Sequence, residues 1–167
     1  MQIPQTSYNE FPATMLIGQV TENNLRQKKS AFALAAITVG TFVLTGTADD
    51  QCKAIPDATA ALGLGTCLGV AAYDAARSPY STAISNDAGA GQYLAGDDVP
   101  VLRNGEIVMW SENACTKGNP VYVRTTASGT SINGQVRDGA ATSFVLHPTA
   151  TFASSTTAAG LAKVEVK

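Results

Sequence analysis

Turn-forming residues interrupt this chain at short intervals, and their spacing constrains the fold more than any other feature. The turn signals of the second half are Asn119-Pro120, Ser128-Gly129, Asn133-Gly134 and Asp138-Gly139. The apolar segments between such signals have the length of strands and are too short for ordinary helices. Short strands that recur about every 8–12 residues indicate a β-sandwich or β-barrel. The sequence therefore predicts an all-β fold, a compact antiparallel β-barrel or sandwich with little helix.

Several of the apolar segments alternate between apolar and polar residues, as half-buried strands do. The predicted strands are Phe32–Val39, Phe42–Thr45, Cys52–Ile55, Thr66–Tyr73, Val99–Arg103, Glu106–Trp110, Val121–Thr125, Ile132–Val136, Phe144–Leu146 and Ala162–Val166. Asn104-Gly105 predicts a hairpin with a type I′ turn, because both residue types tolerate positive φ. The alanine-rich segment from Asp57 to Leu62 is either one short helix or a loop.

Residues 1–30 differ from the rest of the chain because they show no sustained periodicity. Pro4 and Pro12 favour extended conformations in the residues that precede them. An isolated extended segment cannot bury the apolar side chains of this region, so it must lie on its own domain or on a neighbour. We therefore predict an extended N-terminal arm over residues 1–30 and a β-rich domain over residues 31–167.

Composition narrows the range of functions. Charged residues make up 14% of the chain and the net charge is −2. The chain is too apolar to be disordered, and it lacks the basic surface of a nucleic-acid-binding protein. A surface poor in charge and rich in Ala, Gly, Ser and Thr predicts contacts with other proteins.

One stretch imitates a signal peptide. Lys28-Lys29 precedes an apolar run from Ala31 to Leu44, and small residues follow it up to Ala48. The run is too short to span a bilayer, and its β-branched residues favour strands. We predict buried strands here and no membrane contact. An exported adhesive β-domain is the alternative, and cleavage after Ala48 would indicate it.

The chain has little of the chemistry that catalysis or metal binding needs. Cys52, Cys67 and Cys115 show neither zinc spacing nor a disulfide framework, and His147 is the single histidine. The cysteines are expected to be buried small hydrophobic residues, and a disulfide formed after release from the cell stays open. The sequence predicts a protein that is not an enzyme and binds no cofactor or metal.

Three further features receive structural interpretations. His147 is expected to be a loop histidine, since no G-x-S-x-G motif accompanies it. The pairs Asp49-Asp50 and Asp97-Asp98 are expected to be solvated loop charges rather than calcium ligands. Trp110 is expected in the core or at a subunit interface. A hydrolase or sugar-binding domain that uses His147 or Trp110 is the weaker alternative.

The order of segments resembles a known family. The segments are Cys67-Leu-Gly-Val-Ala-Ala72, Gly96-Asp-Asp-Val-Pro-Val-Leu-Arg-Asn-Gly-Glu-Ile-Val-Met109, Thr116-Lys-Gly-Asn-Pro-Val-Tyr-Val-Arg124 and Ala158-Ala-Gly-Leu-Ala-Lys-Val-Glu-Val166. Together with residues before them they cover most of 16–167, and they resemble the structural cement, or head-decoration, proteins of tailed bacteriophages. The resemblance implies a β-rich domain, usually trimeric, that binds the outside of a capsid and stabilises the mature head. It brings no catalytic residues.

The resemblance also implies the partners. These are the major capsid protein and further copies of the chain, in a homotrimer at threefold or quasi-threefold positions. The protein would be made in the host cytoplasm and reside on the outer surface of the virion. Another virion structural protein is the alternative. The candidate capsid or subunit contacts are Tyr8, Phe11, Pro12, Met15, Leu16, Ile17, Tyr93, Leu94 and Trp110.

Overall fold

The computed structural model describes residues 16–21, 27–59, 62, 66–73 and 91–167. These residues form strands and turns without a helix, so the all-β prediction is confirmed. The strands are β1 (Gln27–Ala33), β2 (Ile37–Thr38), β3 (Phe42–Thr45), β4 (Gln51–Ala54), β5 (Cys67–Ala71), β6 (Gln92–Tyr93), β7 (Asp98–Ser111), β8 (Pro120–Arg124), β9 (Val136–Asp138), β10 (Phe144–Phe152) and β11 (Gly160–Val166). The alanine-rich segment begins with a turn at Asp57 and Ala58, and residues 60–61 lie outside the described part.

Strand β7 connects the two halves of the molecule. Its first half pairs with β1 on one edge and β5 on the other, and its second half pairs with β11 and, at Ser111, with β9. The remaining pairings follow the orders β1-β4-β3-β5 and β11-β10-β8-β9. Hydrogen bonding therefore closes two rings that share β7. We call the ring of β1, β4, β3, β5 and β7 the first barrel, and the ring of β7, β11, β10, β8 and β9 the second barrel.

The predicted hairpin at Asn104-Gly105 is wrong, because β7 continues through both residues. A type I′ turn needs positive φ at both positions. Gly105 has a φ of 125°, but among the described non-glycine residues only Ala58 and Ser143 have positive φ. Gly105 instead marks the passage between the barrels, since Asn104 pairs with β1 and Gly105 pairs with β11. Glycine supplies the unusual backbone conformation that this passage needs.

The two barrels are filled differently. In the first barrel, β1 and β4 contribute the small side chains of Ala31, Ala33 and Cys52, which pack with larger ones such as Leu68 and Val99. The second barrel holds larger residues such as Met109 and Phe152. The outer face of β3 packs against this second core, so that β3 is buried on both faces. Burial on both faces explains why Phe42–Thr45 is a nearly continuous apolar run.

Part of the predicted arm lies on its own domain. The N–H of Gly18 donates to the carbonyl of Val108 (2.8 Å), and the N–H of Val108 donates to the carbonyl of Gln19 (2.9 Å). The N–H of Thr21 donates to the carbonyl of Glu106 (3.1 Å). Residues 18–21 thus cover the β7 edge between the positions paired with β1 and with β9. Strand β1 also begins within residues 1–30, while residues 1–15 and 22–26 lie outside the described part.

The stretch that imitates a signal peptide forms β1, β2 and β3, so its strand character is confirmed, whereas Phe32 and Leu34 in it are exposed. Phe42 and Val43 in this stretch are completely buried. Within the described residues, no helix has the length and apolar character needed to cross a membrane.

Candidate docking surface

His147 is a packing residue in this fold. It is 5% exposed, and its Nδ1 accepts hydrogen bonds from the backbone N–H groups of Ala150 (3.0 Å) and Thr149 (3.3 Å). Its ring centroid lies 4.6 Å from that of Phe42 in the first barrel. Burial lowers the pKa of His147 to about 4, so the ring is neutral at pH 7 and carries its proton on Nε2. The histidine holds an irregular part of β10 against β3.

A cleft of about 100 Å³ lies beside His147, where β5, β7, β10 and β11 meet. Cys67, Arg103, Thr149 and Lys167 contribute to its lining. The hydroxyl of Thr149 donates to the carbonyl of Lys167 (2.7 Å), which engages both groups. Pockets for organic ligands usually have about 300–1,000 Å³, so this cleft is too small for one.

The fold covers the three cysteines to different degrees. Cys52 and Cys115 are buried, Cys67 is half-buried, and all three are free. Burial raises the pKa of the Cys52 and Cys67 thiols to about 11, so both stay protonated and weakly nucleophilic at pH 7. Over the described ranges, no group of three His, Cys, Asp or Glu side chains is placed to hold a metal ion.

The two aspartate pairs, distant in sequence, come together on either side of β1. The N–H of Phe32 donates to the carbonyl of Asp50 (2.7 Å), in the turn between β3 and β4. On the other edge, Phe32 pairs with Asp98 of β7. Asp97 closes the preceding turn, since its Oδ2 accepts the N–H of Leu94 (2.7 Å). The pairs thus form an acidic border, defined by Asp49, Asp50, Asp97 and Asp98.

The predicted contact residues occupy different environments. Ile17 and Tyr93 are buried within their own chain, and the Tyr93 hydroxyl donates to the carbonyl of Ala72 (2.9 Å). Leu16 is half-buried, as is Trp110, which pairs with a β11 residue. Leu94 is exposed. The other four, Tyr8, Phe11, Pro12 and Met15, lie outside the described residues.

Three large apolar side chains are exposed at the Asp98 end of β7, and we call them the apolar patch: Phe32, Leu34 and Leu94. They are 51%, 41% and 46% exposed, respectively. Phe32 and Leu34 alternate with buried alanines and so share the outer face of β1. The turn that begins at Leu94 lies beside β1, because the N–H of Gly96 donates to the carbonyl of Ala33 (2.8 Å).

Sequence reasoning did not identify Phe32 and Leu34 as surface residues. It assigned residues 32–39 to a buried strand, because large apolar side chains are ordinarily inside. The structure reverses that expectation on β1, where Ala31 and Ala33 face the interior of the first barrel and Phe32 faces outward. The alternation of small and large residues in Ala31–Leu34 indicates that this strand has two different faces. The alternation alone does not show which face points into the barrel.

Comparison with known proteins supports the resemblance to phage structural cement proteins. The family model described as "Structural cement protein (E217 gp24/Pam3 gp6)" matches residues 3–167. A chain of the solved structure "The capsid of Myoviridae Phage XM1" superposes with a TM-score of 0.70 at 18% sequence identity, over 100% of this chain and 98% of that chain. This likeness shows a shared fold. No curated protein matches the chain.

The fold and its surface define the class as an all-β structural protein built on two barrels that share a strand. The family match covers nearly the whole chain. The chain belongs to the phage structural cement protein family. It is accordingly a capsid-associated structural protein of a virion, as the resemblance implied.

Proposed function

We propose that this protein is a capsid decoration protein that binds the outer surface of the phage head and stabilises the mature shell, without catalytic activity. Membership of the structural cement family carries the proposal. A protein that binds the assembled shell more tightly than its separated parts stabilises the shell by mass action. The exposed apolar patch supports this role, because such patches mark protein contacts.

The proposed assembly is a homotrimer at threefold or quasi-threefold positions of the capsid. A trimer there presents three equivalent copies of one surface to equivalent copies of the shell protein. Simultaneous contacts raise the apparent affinity well above that of a single chain. The low charged fraction of 14% supports the proposal, because it leaves surface area suited to self-association.

The N-terminal residues are proposed as a second contact, with the capsid or with a sister subunit. Residues 18–21 run antiparallel to β7, and the carbonyl of Gly18 accepts the N–H of Tyr73, just after β5 (2.8 Å). Residues 1–15 supply Tyr8, Phe11, Pro12 and Met15 for this contact.

Capsids that lack the protein provide the direct test. Purified protein is mixed with such heads, and co-sedimentation and the temperature of head disruption are measured. We expect the protein to sediment with heads and to raise the disruption temperature. Absence of co-sedimentation would contradict the proposed function. Light scattering after size exclusion should give three times the chain mass of 17.2 kDa, and a monomer at every concentration would contradict the trimer.

Two truncations test the arm. Removal of residues 1–15 leaves residues 18–21 on the edge of β7, so we expect an unchanged melting temperature and weaker head binding. Removal of residues 1–21 uncovers that edge and removes the buried Ile17, so it should also lower the melting temperature. Full head binding by the shorter truncation would contradict a contact made by residues 1–15.

A further inference from the structure

We propose that Arg137, on the outer face of the second barrel, binds a carboxylate in the β3–β4 turn of a sister subunit, supplied by Asp49 or Asp50. The contact joins neighbouring subunits head to tail. The proposal rests on the proposed function, in which the chain acts as a homotrimer, and it adds the residues that hold the subunits together.

The outer face of the second barrel carries a cluster that we call the arginine face: Tyr122, Arg124, Arg137, Phe144 and Leu146. Tyr122 pairs with Arg137 on one side and with Leu146 on the other, and Arg124 pairs with Phe144. Paired residues, and residues two apart on one strand, lie on the same face of a sheet. Leu146 is 46% exposed. Tyr, Phe and Arg are residue types that are enriched at protein interfaces.

Arg137 gives this face a charge that its own chain does not neutralise. The Cζ atoms of Arg124 and Arg137 lie 4.6 Å and 5.1 Å from the ring centroid of Phe144. Glu112 pairs with Arg124, and the carboxylate of the neighbouring Asp138 accepts hydrogen bonds from an asparagine and a backbone N–H group. Arg137 forms no ion pair with a described residue, and its buried Nε has no hydrogen-bond partner among them. Its charge is therefore available to a carboxylate of another chain, which a guanidinium binds strongly.

The turn between β3 and β4 offers such a carboxylate. Asp49 and Asp50 are exposed there, and neither side chain forms a hydrogen bond or an ion pair with a described residue. The other acidic side chains of the described part are engaged: Asp57, Asp97, Asp98, Glu106, Glu112, Asp138 and Glu165. Leu34, which is 41% exposed, lies against the turn, since its Cδ1 is 3.1 Å from the position that a Cβ on Gly46 would take. The turn thus presents carboxylates beside an exposed leucine, as the arginine face presents a guanidinium beside Leu146.

The complementarity is confined to the tip of the turn. Nζ of Lys29 donates to the backbone carbonyl of Asp49 (2.5 Å), and Lys28 and Lys53 lie on β1 and β4 of the same barrel. These ammonium groups nearly balance the aspartates at that end of the barrel. The proposal therefore depends on the two carboxylates at the tip and not on the charge of the whole surface.

Hydrogen bonding fixes the two groups at opposite ends of β7. Phe32 donates its N–H to the carbonyl of Asp50 and pairs with Asp98, the first residue of β7. The residue before Arg137 pairs with Ser111, the last residue of β7. The 14 residues of this strand span roughly 40 Å. One chain therefore cannot bring the two groups together, whereas two chains can.

The charges favour a head-to-tail contact over a symmetric one. Two arginine faces would bring like charges together, and so would two acidic turns. A head-to-tail contact uses both surfaces of every subunit and closes into a ring where the rotation permits it, and a trimer is such a ring. The chain itself supplies the carboxylate that fits, which selects a sister subunit as the partner.

An exchange of charges tests the contact, with the oligomeric state measured by light scattering over a concentration series. Arg137→Glu and Asp49→Lys/Asp50→Lys should each raise the concentration at which half of the chains are trimeric by at least about tenfold. The combination of these substitutions restores opposite charges and should recover most of that loss. The control Lys163→Glu makes the same charge change at a half-buried position on β11 and should leave the mass unchanged.

Thermal melting at a dilution at which the original chain is monomeric verifies that each variant folds. If Arg137→Glu does not fold, Asp49→Lys/Asp50→Lys decides the test, because both of its positions are exposed. A trimer that both variants leave intact would overturn this contact, and so would losses that the combined variant does not recover.

The remaining outcomes separate this contact from the proposed function. Variants that stay trimeric but no longer sediment with heads would assign the arginine face to the shell and overturn the subunit contact. An original chain that is monomeric at every concentration would contradict the trimer and this contact with it. Failure of the original chain to bind heads would contradict capsid decoration itself.

Discussion

Lowering the pH should destabilise this fold through His147, the single histidine of the chain. Protonation would place a second donor at Nδ1, opposite the N–H groups of Thr149 and Ala150 that now donate to it. It would also bury a positive charge beside Phe42. The adjoining cleft is lined by Arg103 and Lys167, whose charges have the same sign and offer no compensation.

The magnitude follows from the pKa difference between the folded and unfolded states. The pKa of His147 is about 4 in the fold, because of burial, against an ordinary 6.5. The unfolded chain therefore binds the proton more tightly. The contribution of His147 to the free energy of unfolding is complete above pH 6.5, and it falls as the pH decreases towards 4. At 1.36 kcal/mol per pH unit, the total loss is about 3 kcal/mol.

Urea unfolding between pH 7.5 and pH 4, at one fixed protein concentration, measures this loss. The control is His147→Asn, whose side-chain oxygen can accept the N–H of Ala150 but does not titrate. The variant will be less stable at pH 7.5 because it packs less well against Phe42. Between pH 7.5 and pH 4 the original chain should lose about 3 kcal/mol more than the variant, which corresponds to about 1–3 M urea in the midpoint.

The result that refutes this reasoning is a parallel decline of the two stability curves. Nuclear magnetic resonance gives an independent check, because the chain has one histidine to titrate. A midpoint near 6.5 in the folded protein would show that burial does not disfavour the imidazolium form. A wild-type curve that becomes more stable as the pH falls, relative to His147→Asn, would reverse the predicted sign.

Two further substitutions test packing and charge, each with a matched control. Gly69→Ala should lower the free energy of unfolding by about 3 kcal/mol or more, because the new Cβ would overlap a backbone carbonyl of β7. In the control Gly118→Ala the new Cβ meets open space, so the free energy of unfolding should fall by only about 1 kcal/mol, because alanine disfavours the φ of +90°. Thermal melting measures both. Glu112→Gln removes the charge of a pair whose Oε1 lies 2.5 Å from Nε of Arg124, with both side chains about nine-tenths buried. This substitution should lower the free energy of unfolding by about 3 kcal/mol. The control Glu165→Gln, in a pair with more exposed side chains, should lower it by less than about 0.5 kcal/mol. Equal effects of the two substitutions in chemical denaturation would refute the importance of burial.

Local signals predicted most strands, because turn residues and alternation act over a few neighbouring positions. Phe42–Thr45 matches β3, and the predicted Val121–Thr125 and Ala162–Val166 overlap β8 and β11. The same local signals failed at Asn104-Gly105. An Asn-Gly dipeptide between apolar runs is equally compatible with a hairpin and with a strand that passes between two barrels. Only pairing with distant segments, 27–33 and 160–166, distinguishes them.

The candidate site was less predictable than the strands for the same reason. Leu94 was predicted as a contact residue, and it is exposed. Ile17 and Tyr93 were predicted beside it, yet both are buried in their own chain, since the partners that cover them come from other parts of the sequence. Tyr93, for example, donates to Ala72. Composition predicts that a residue needs a partner, but not which chain supplies it.

The strand topology also limits how this protein can bind another protein. Both edges of β7 are occupied, by β1, residues 18–21 and β9 on one side and by β5 and β11 on the other. In the part of the chain that the structure describes, β7 therefore offers no edge for a partner strand. Contacts at this strand must instead come from side chains on its outer face. The apolar patch provides such side chains on the neighbouring β1 and in the turns at Leu34 and Leu94.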